Sequence, residues 1–304
     1  MDAGIFMHFT KMQGCGNDFV ILEEREVLTR RERRGELARS LCDRRFSIGA
    51  DGVLILKTGM RELFEMEVYN ADGSQAEVCG NGLRCAAAWL WTRGLAGERK
   101  FHIACSGAVK TVEVLENTDA VIPCGEAPLS ENATQGLMIR AEMGAAIFPD
   151  WTKQGARKAP EENAGEKDLM GGAGQIVLGW KVHCVSMGNP HAVVLLREDE
   201  DWPVKEAGPL LSRAEEFPNG TNVEFVKVLG RGRIAMRVWE RGAGETLACG
   251  SGACAAAAVC MQKGLTDEEI TVTLLGGTLL VSRIVPTGSL FLTGPAVTSY
   301  EGEI

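Results

Sequence analysis

Residues 239 to 261 read Trp-Glu-Arg-Gly-Ala-Gly-Glu-Thr-Leu-Ala-Cys-Gly-Ser-Gly-Ala-Cys-Ala-Ala-Ala-Ala-Val-Cys-Met. The stretch opens on a charged pair, Glu240 and Arg241, passes through a glycine-rich turn, and reaches Cys249 followed by Gly250, Ser251 and Gly252. From Ala253 to Met261 it carries no charge and almost no polar atom. A short helix apolar on every side is therefore expected, and such a helix is buried. A cysteine where glycines give way to a helix sits against unsatisfied amides and the positive end of the helix dipole. That setting lowers a thiol's pKa, and the same amides can hold a carboxylate.

Working outward, the pattern has an earlier counterpart. Val78-Cys79-Gly80-Asn81-Gly82-Leu83-Arg84-Cys85-Ala86-Ala87-Ala88 again runs from cysteine through Gly-polar-Gly into an Ala-rich helix, 170 positions before the second cysteine. Three more pairs keep nearly the same offset: Val68-Tyr69-Asn70 with Val238-Trp239-Glu240 at 170, Gly49-Ala50-Asp51 with Gly220-Thr221-Asn222 at 171, and Gly16-Asn17 with Gly188-Asn189 at 172. Coincidence among 37 glycines does not keep order and register together, so the chain is read as an internal duplication.

A length of 304 residues has room for two domains, and 45% apolar with 24% charged residues is ordinary for a globular protein. The formal charge of −9, with no basic cluster interleaved with aromatics, argues against nucleic acid as partner. Residues 30 to 34 form the densest basic run, but Glu32 interrupts it, and it reads as the solvated face of a helix. Residues 1 to 13 lack the apolar core of a signal peptide, and no apolar run is long enough to cross a bilayer. A cytoplasmic protein with no membrane partner is expected. Its ten cysteines are then thiols, none in a Cys-x-x-Cys pair. The four histidines are scattered, so no metal site is expected.

In chain order, residues 8 to 22 read as two strands about a turn at Gly14-Cys15-Gly16-Asn17-Asp18, where Asn17 alone would pass as a turn asparagine. Residues 29 to 46 read as an amphipathic surface helix, 48 to 56 as a turn into a buried strand, and 64 to 69 as a strand. The Cys79 helix is expected to end near Trp91, with two strands over 101 to 121 and a break at Pro123 and Pro128. The domain boundary is placed there, dividing residues 1–128 from 129–292. Residues 150 to 175 read as an extended loop. Beyond it come strands over 182 to 186 and 192 to 196, a surface helix marked by Leu210, Leu211 and Phe217, strands over 222 to 228 and 234 to 239, the Cys249 helix, and closing strands over 270 to 275, 279 to 285 and 289 to 293. The fold class is α+β: two pseudo-symmetric domains, each a barrel-like sheet wrapped around one apolar helix.

If the halves are related by a pseudo-twofold axis, Cys79 and Cys249 face one another between them, each at a helix start. Two thiols on opposite sides of one carbon suit removal of a proton from one face and delivery of another to the opposite face. The helix starts would stabilise charge on the substrate carboxylate as the α-proton departs. Other readings stay open. A Cys-His nucleophile could use His191, but leaves the second cysteine unexplained. Both thiols could be inert, as Cys42, Cys85, Cys105, Cys124, Cys184, Cys254 and Cys260 are read to be. A redox pair is a further alternative. Phosphate binding lacks the Gly-x-x-Gly-Lys or Gly-x-Gly-x-x-Gly continuation.

At these residues the chain resembles the diaminopimelate epimerases. The match runs through Gly14-Cys15-Gly16-Asn17-Asp18-Phe19, Gly49-Ala50-Asp51-Gly52, Asn70-Ala71-Asp72-Gly73-Ser74, Cys79-Gly80-Asn81-Gly82-x-Arg84-Cys85, Gly188-Asn189-Pro190-His191, and Glu240-Arg241-Gly242-Ala243-Gly244-Glu245-Thr246 on to Cys249-Gly250-Ser251-Gly252. The resemblance implies that Cys79 and Cys249 are the acid/base pair, assisted by His191 and Glu240. It implies that Asn17, Gly80, Asn81, Gly250 and Ser251 bind the reacting end of an amino-acid substrate, and Asn70, Asn189, Asn222 and Arg241 its distal end. It further implies two β-barrels around central helices, residues 293–304 returning to the first domain, a homodimer, and no cofactor. The implied reaction inverts L,L-diaminopimelate to the meso form, in lysine and peptidoglycan precursor synthesis. The runner-up is a racemase or epimerase of histidine or hydroxyproline on the same fold, and a third reading is a non-catalytic amino-acid-binding protein. Gln13 stands for a frequent family His, and Gly52 where some members carry a substrate-facing Gln.

Overall fold

The computed structural model describes residues 7–27, 30–59, 63–76, 79–115, 136–149 and 174–304. The expected break at residues 123 to 128, Cys124, and residues 150–173 of the expected loop lie outside these. The chain divides into two compact units, Met1–Glu142 with Thr293–Ile304, and Met143–Leu292.

Unit 1 contains β1 (His8–Gly14), β2 (Asn17–Glu23), α1 (Arg34–Leu41), β3 (Gly52–Lys57), β4 (Leu63–Asn70), α2 (Gly80–Thr92), β5 (Lys100–Cys105), β6 (Ala108–Val114) and β7 (Leu137–Ala145). These strands pair in sequence order, and the ring closes through β16 (Ser289–Glu303), which lies between β7 and β1. Its end runs antiparallel to β1, from His8 opposite Glu303 to Gln13 opposite Val297. The result is an eight-stranded barrel of β1 to β7 and β16.

α2 fills that barrel. Cys85, Ala86, Ala87, Ala88, Trp89 and Leu90 pack in one cluster with Phe19, Leu54, Phe64, Val68, Ile103 and Ile139. Small side chains let the strands approach the helix from all around, and each large apolar side chain buried there contributes about 1.5 to 3 kcal/mol. β3 shows how the sequence dictates this packing. It reads Gly-Val-Leu-Ile-Leu without alternation because both its faces are covered, Leu54 and Leu56 by the α2 cluster, Val53 and Ile55 by Ala38 and Leu41 of α1.

α1 is shorter than the helix expected over 29 to 46. Asp43 ends it, its carboxylate accepting the amides of Arg45 at 2.8 Å and Phe46 at 3.0 Å in a turn. Nor is the basic run simply a solvated face. Arg34 is buried, bonded to Glu67 at 2.8 Å and Glu24 at 2.9 Å.

Unit 2 contains β8 (Gln175–Val177), β9 (Trp180–Ser186), β10 (Pro190–Leu196), α3 (Val204–Ser212), β11 (Asn222–Gly230), β12 (Arg233–Glu240), β13 (Gly244–Thr246), α4 (Gly250–Gln262), β14 (Glu269–Leu274) and β15 (Gly277–Arg283). Its sheet runs β15-β14-β12-β11-β10-β9-β8, with β13 beside β12 and the start of β16 beside β15. The pairing senses repeat those of unit 1. β10 is parallel to β11 and β12 to β14, as β2 is to β3 and β4 to β5, with antiparallel pairs at the corresponding places between. α4 has 13 residues, as α2 does, and is buried from Gly250 to Met261. Leu211 of α3 is buried against Phe225, and Phe217 follows the helix in the same cluster. The last strand, expected over 289 to 293, continues to Glu303.

Candidate active site

Cys79 is the residue that caps α2. Its backbone is extended, at φ −130° and ψ 105°, and its sulfur accepts the amide of Gly82 at 3.3 Å. A helix-start amide aimed at sulfur favours the anionic form. Beside it lies the turn that carries Asn17. Cys15 and Gly16 both adopt positive φ there, 55° and 82°, which swings the Asn17 side chain towards the helix start. Asn17 Oδ1 accepts from Asn81 Nδ2 at 3.0 Å and lies 3.9 Å from the Cys79 sulfur.

The other end of the Asn17 amide donates to Asp51 at 2.8 Å. Asp51 and Asp18 exchange backbone bonds, Asp51 N to Asp18 Oδ1 at 2.9 Å and Asp18 N to Asp51 Oδ2 at 3.1 Å. Arg44 reaches both carboxylates, at 2.7 and 2.8 Å, and Lys11 reaches Asp18 at 2.8 Å. Burial pulls the Asp18 carboxyl upward, but the hydrogen bonds and charges of Arg44 and Lys11 outweigh it and hold the pKa at about 2. Asn70, expected to bind the distal end of the substrate, lies opposite Gly52 at the end of β4. Its amide donates to Ser74 at 2.9 Å within its own turn. Gly52 is packed against Tyr69, whose carbonyl would lie 2.7 Å from any Cβ added there, so this backbone takes no side chain where a glutamine was considered.

In unit 2, Cys249 caps α4 with the same extended backbone, φ −121° and ψ 114°. Its sulfur lies 3.6 Å from Ser251 Oγ, which Asn189 Nδ2 reaches at 3.5 Å. Asn189 Oδ1 lies 3.0 Å from His191 Nε2, and His191 Nδ1 lies 2.7 Å from Glu224 Oε1. Gly188, before Asn189, has φ 101°, repeating the turn geometry of Gly16 and Asn17. Glu240 accepts from Thr246 and from Cys249. Asn222 Oδ1 accepts the Arg241 amide at 2.9 Å, while the Arg241 guanidinium reaches out to the Asn219 carbonyl at 3.0 Å.

The helix start does not make Cys249 an easy thiolate. Burial raises its pKa well above a thiol's ordinary value, the charges of Glu240 and Glu224 raise it further, and contacts with Ser251 and the Gly252 amide pull the other way without prevailing. This corrects the expectation drawn from the helix dipole alone. Burial likewise raises the Glu240 carboxyl, with the Glu224 charge adding to the shift and Thr246, Cys249 and His191 opposing it. Glu224 itself was not anticipated. In the sequence it is one charged residue inside Asn-Val-Glu-Phe-Val, and its only signal is a charge set directly between Val223 and Phe225 in a strand.

One fold is built twice, with a cysteine at the head of the buried helix in each copy. A family model described as "Diaminopimelate epimerase" matches residues 9–129 and 183–299, and the chain belongs to that family. Two curated relatives share the name. The one from Acetivibrio thermocellus is 35% identical over 304 residues, covering 98% of each chain. The one from Methanococcus maripaludis is 36% identical over 302 residues, covering 98% of this chain and 99% of its own. Among solved structures, a phenazine biosynthesis protein of the PhzF family from Bacillus anthracis has a TM-score of 0.67 at 16% identity, covering 98% of this chain and 99% of its own. A hydroxyproline epimerase from Agrobacterium vitis has a TM-score of 0.63 at 12% identity, covering 100% and 94%. These last two share the fold.

Proposed function

We propose that the protein inverts the α-carbon of L,L-diaminopimelate to give the meso form, with Cys79 and Cys249 as its two working thiols. The observation that carries this reading is the placement of each cysteine as the cap of a buried 13-residue helix in a chain of this family. Inversion without a cofactor needs a base on one face of the carbon and an acid on the other. Cys249 enters as the acid, because burial and two carboxylates keep its proton on. Cys79, at the start of the other buried helix, takes the complementary role of base. The base takes the α-proton, the electron pair spreads into the carboxylate, and the Cys249 proton arrives on the opposite face. Cys79 is then the thiol and Cys249 the thiolate, ready for the reverse reaction.

Gly80, Asn81, Gly250 and Ser251 occupy the first helical positions after each cysteine, and their amides are suited to the carboxylate on which charge grows. Arg241 meets the second amino-acid end. Its side chain is exposed and bonded to a carbonyl, so its charge remains open to a carboxylate, which a guanidinium binds with two parallel hydrogen bonds. A homodimer in the cytoplasm is proposed on the family resemblance alone, and sedimentation velocity tests the dimer.

The test is incubation in D2O with L,L-diaminopimelate and, separately, single amino acids including histidine and hydroxyproline, following deuterium at Cα by NMR. Exchange with inversion is expected for diaminopimelate only. Exchange confined to another amino acid would keep the two-thiol chemistry and change the substrate, whereas binding without any exchange would sink the enzymatic reading.

A further inference from the structure

Glu224 and His191 stand on adjacent parallel strands, β11 and β10, and both side chains are fully shielded from solvent, at 0% exposure each. One carboxylate oxygen, Oε1, meets His191 Nδ1 at 2.7 Å. The other, Oε2, is buried with no hydrogen-bond partner among the described residues. Leaving a buried carboxylate oxygen unmatched is costly, so stability alone does not explain a glutamate here. α4 packs directly on this carboxyl at a residue without a side chain, for a Cβ at Gly252 would lie 2.7 Å from Glu224 Oε1. The other titratable groups that bear on the cluster are Glu240 from β12 and Cys249 at the start of α4.

The two ring nitrogens of His191 have unlike partners. A carboxylate oxygen accepts only, so it demands a hydrogen on Nδ1. Asn189 opposite Nε2 is an amide with an accepting end and a donating end, and by turning over it can serve either a protonated or a bare nitrogen.

We propose that Glu224 is a positioning residue: by accepting the Nδ1 hydrogen it fixes the ring and tautomer of His191, leaving Nε2 as the nitrogen that gains and loses a proton beside Asn189, Ser251 and Cys249. This rests on the reading of Cys249 and His191 as working groups of the epimerase. The Asn189 amide follows the proton, and the chain from His191 through Asn189 and Ser251 brings the change to the cysteine. The orientation of an imidazole by a carboxylate on its far nitrogen is a general device for setting the near nitrogen's role.

The experiment uses the full-length 15N-labelled protein. Long-range 1H–15N spectra, with the His191 signals identified by their loss in H191N, show which ring nitrogen is bare when the ring is neutral. A bare Nε2 with a persistently protonated Nδ1 is expected in the wild type. In E224Q the fixed tautomer is lost, and kcat falls ~10-fold or more while KM stays within about threefold. In an H191N background E224Q has no additional effect. A bare Nδ1 in the wild type overturns the proposal without recourse to any variant, so a poorly folding E224Q leaves it decidable. Losses from E224Q that add in full to those of H191N overturn it too. An H191N enzyme with undiminished turnover would instead sink His191 as a working group, which tells the two failures apart.

Discussion

Asn81 Nδ2, on the first turn of α2, lies 3.0 Å from Asn17 Oδ1, and Asp51 fixes which end of the Asn17 amide is presented there, by accepting from the opposite end at 2.8 Å. Unit 2 repeats the arrangement with other side chains: Asn189, from the equivalent turn, reaches Ser251 at 3.5 Å on the first turn of α4. In each unit a side chain from a tight turn is thus tied to the helix start that carries the cysteine.

Replacing Asn17 by alanine removes this tie. Turnover should suffer more than folding: kcat/KM is expected to drop ~10-fold or more, while the loss of two partly exposed hydrogen bonds costs about 1 kcal/mol. Steady-state kinetics beside urea unfolding check it, and equal small losses in both would refute it.

Asp18 makes part of the stability of unit 1 depend on pH. Its carboxyl falls from 3.8 to about 2 on folding, so its contribution is fully present above pH 3.8 and disappears as pH falls through about 2. D18N should lose ~1 to 2 kcal/mol at neutral pH, allowing for solvent screening, and the gap to wild type should close towards pH 2. Urea midpoints of the two proteins along a pH series show this; a gap independent of pH would exclude it.

Arg84 is fully buried, bonded to the Pro295 and Gly80 carbonyls at 3.4 Å each, and its Nη2 is without a hydrogen-bond partner among the described residues. R84A leaves a cavity and two deprived carbonyls and should cost ~3 kcal/mol or more. R84M fills the space without burying a charge and should cost clearly less. Chemical denaturation ranks the two, and the reverse order would show that the charge itself is needed.

Glu240 and Glu224 both raise the Cys249 thiol. In E240Q, alkylation of Cys249 by iodoacetamide, read by peptide mass spectrometry, should begin at lower pH than in wild type. In wild type it should begin above the range of an ordinary thiol. An unchanged profile in E240Q would leave burial and the Glu224 charge as the causes.

The two cysteine-headed helices were legible in the sequence because a polar glycine-rich cap followed by an uncharged Ala-rich run has one economical placement, inside a sheet. The register of the duplication was legible for the same reason: Gly16-Asn17 and Gly188-Asn189 need the same turn wherever they occur. What escaped depended on partners distant in sequence. Glu224 meets His191 of the neighbouring strand through its side chain, and nothing in its own stretch of sequence announces that partner. α1 was read too long because helical spacing does not reveal that Asp43 closes a turn or that Arg34 turns inward to Glu67 and Glu24. The final strand was cut short because Gly294-Pro295 reads as an ending, whereas here it is passed over on the way to β1.

That last strand bears on how the protein is made. His8 pairs with Glu303, and residues 146 to 292 lie between β7 and the part of β16 that closes the first barrel. A ribosome delivers β1 long before its neighbour exists, so the first barrel stands open along one edge throughout synthesis of unit 2. Unit 2, continuous in sequence, is free to fold first. Unit 1 draws its strands from both sides of unit 2 in sequence, so its barrel closes only once unit 2 has been made, and until then the β1 edge is where a nascent chain would most need shielding from its neighbours.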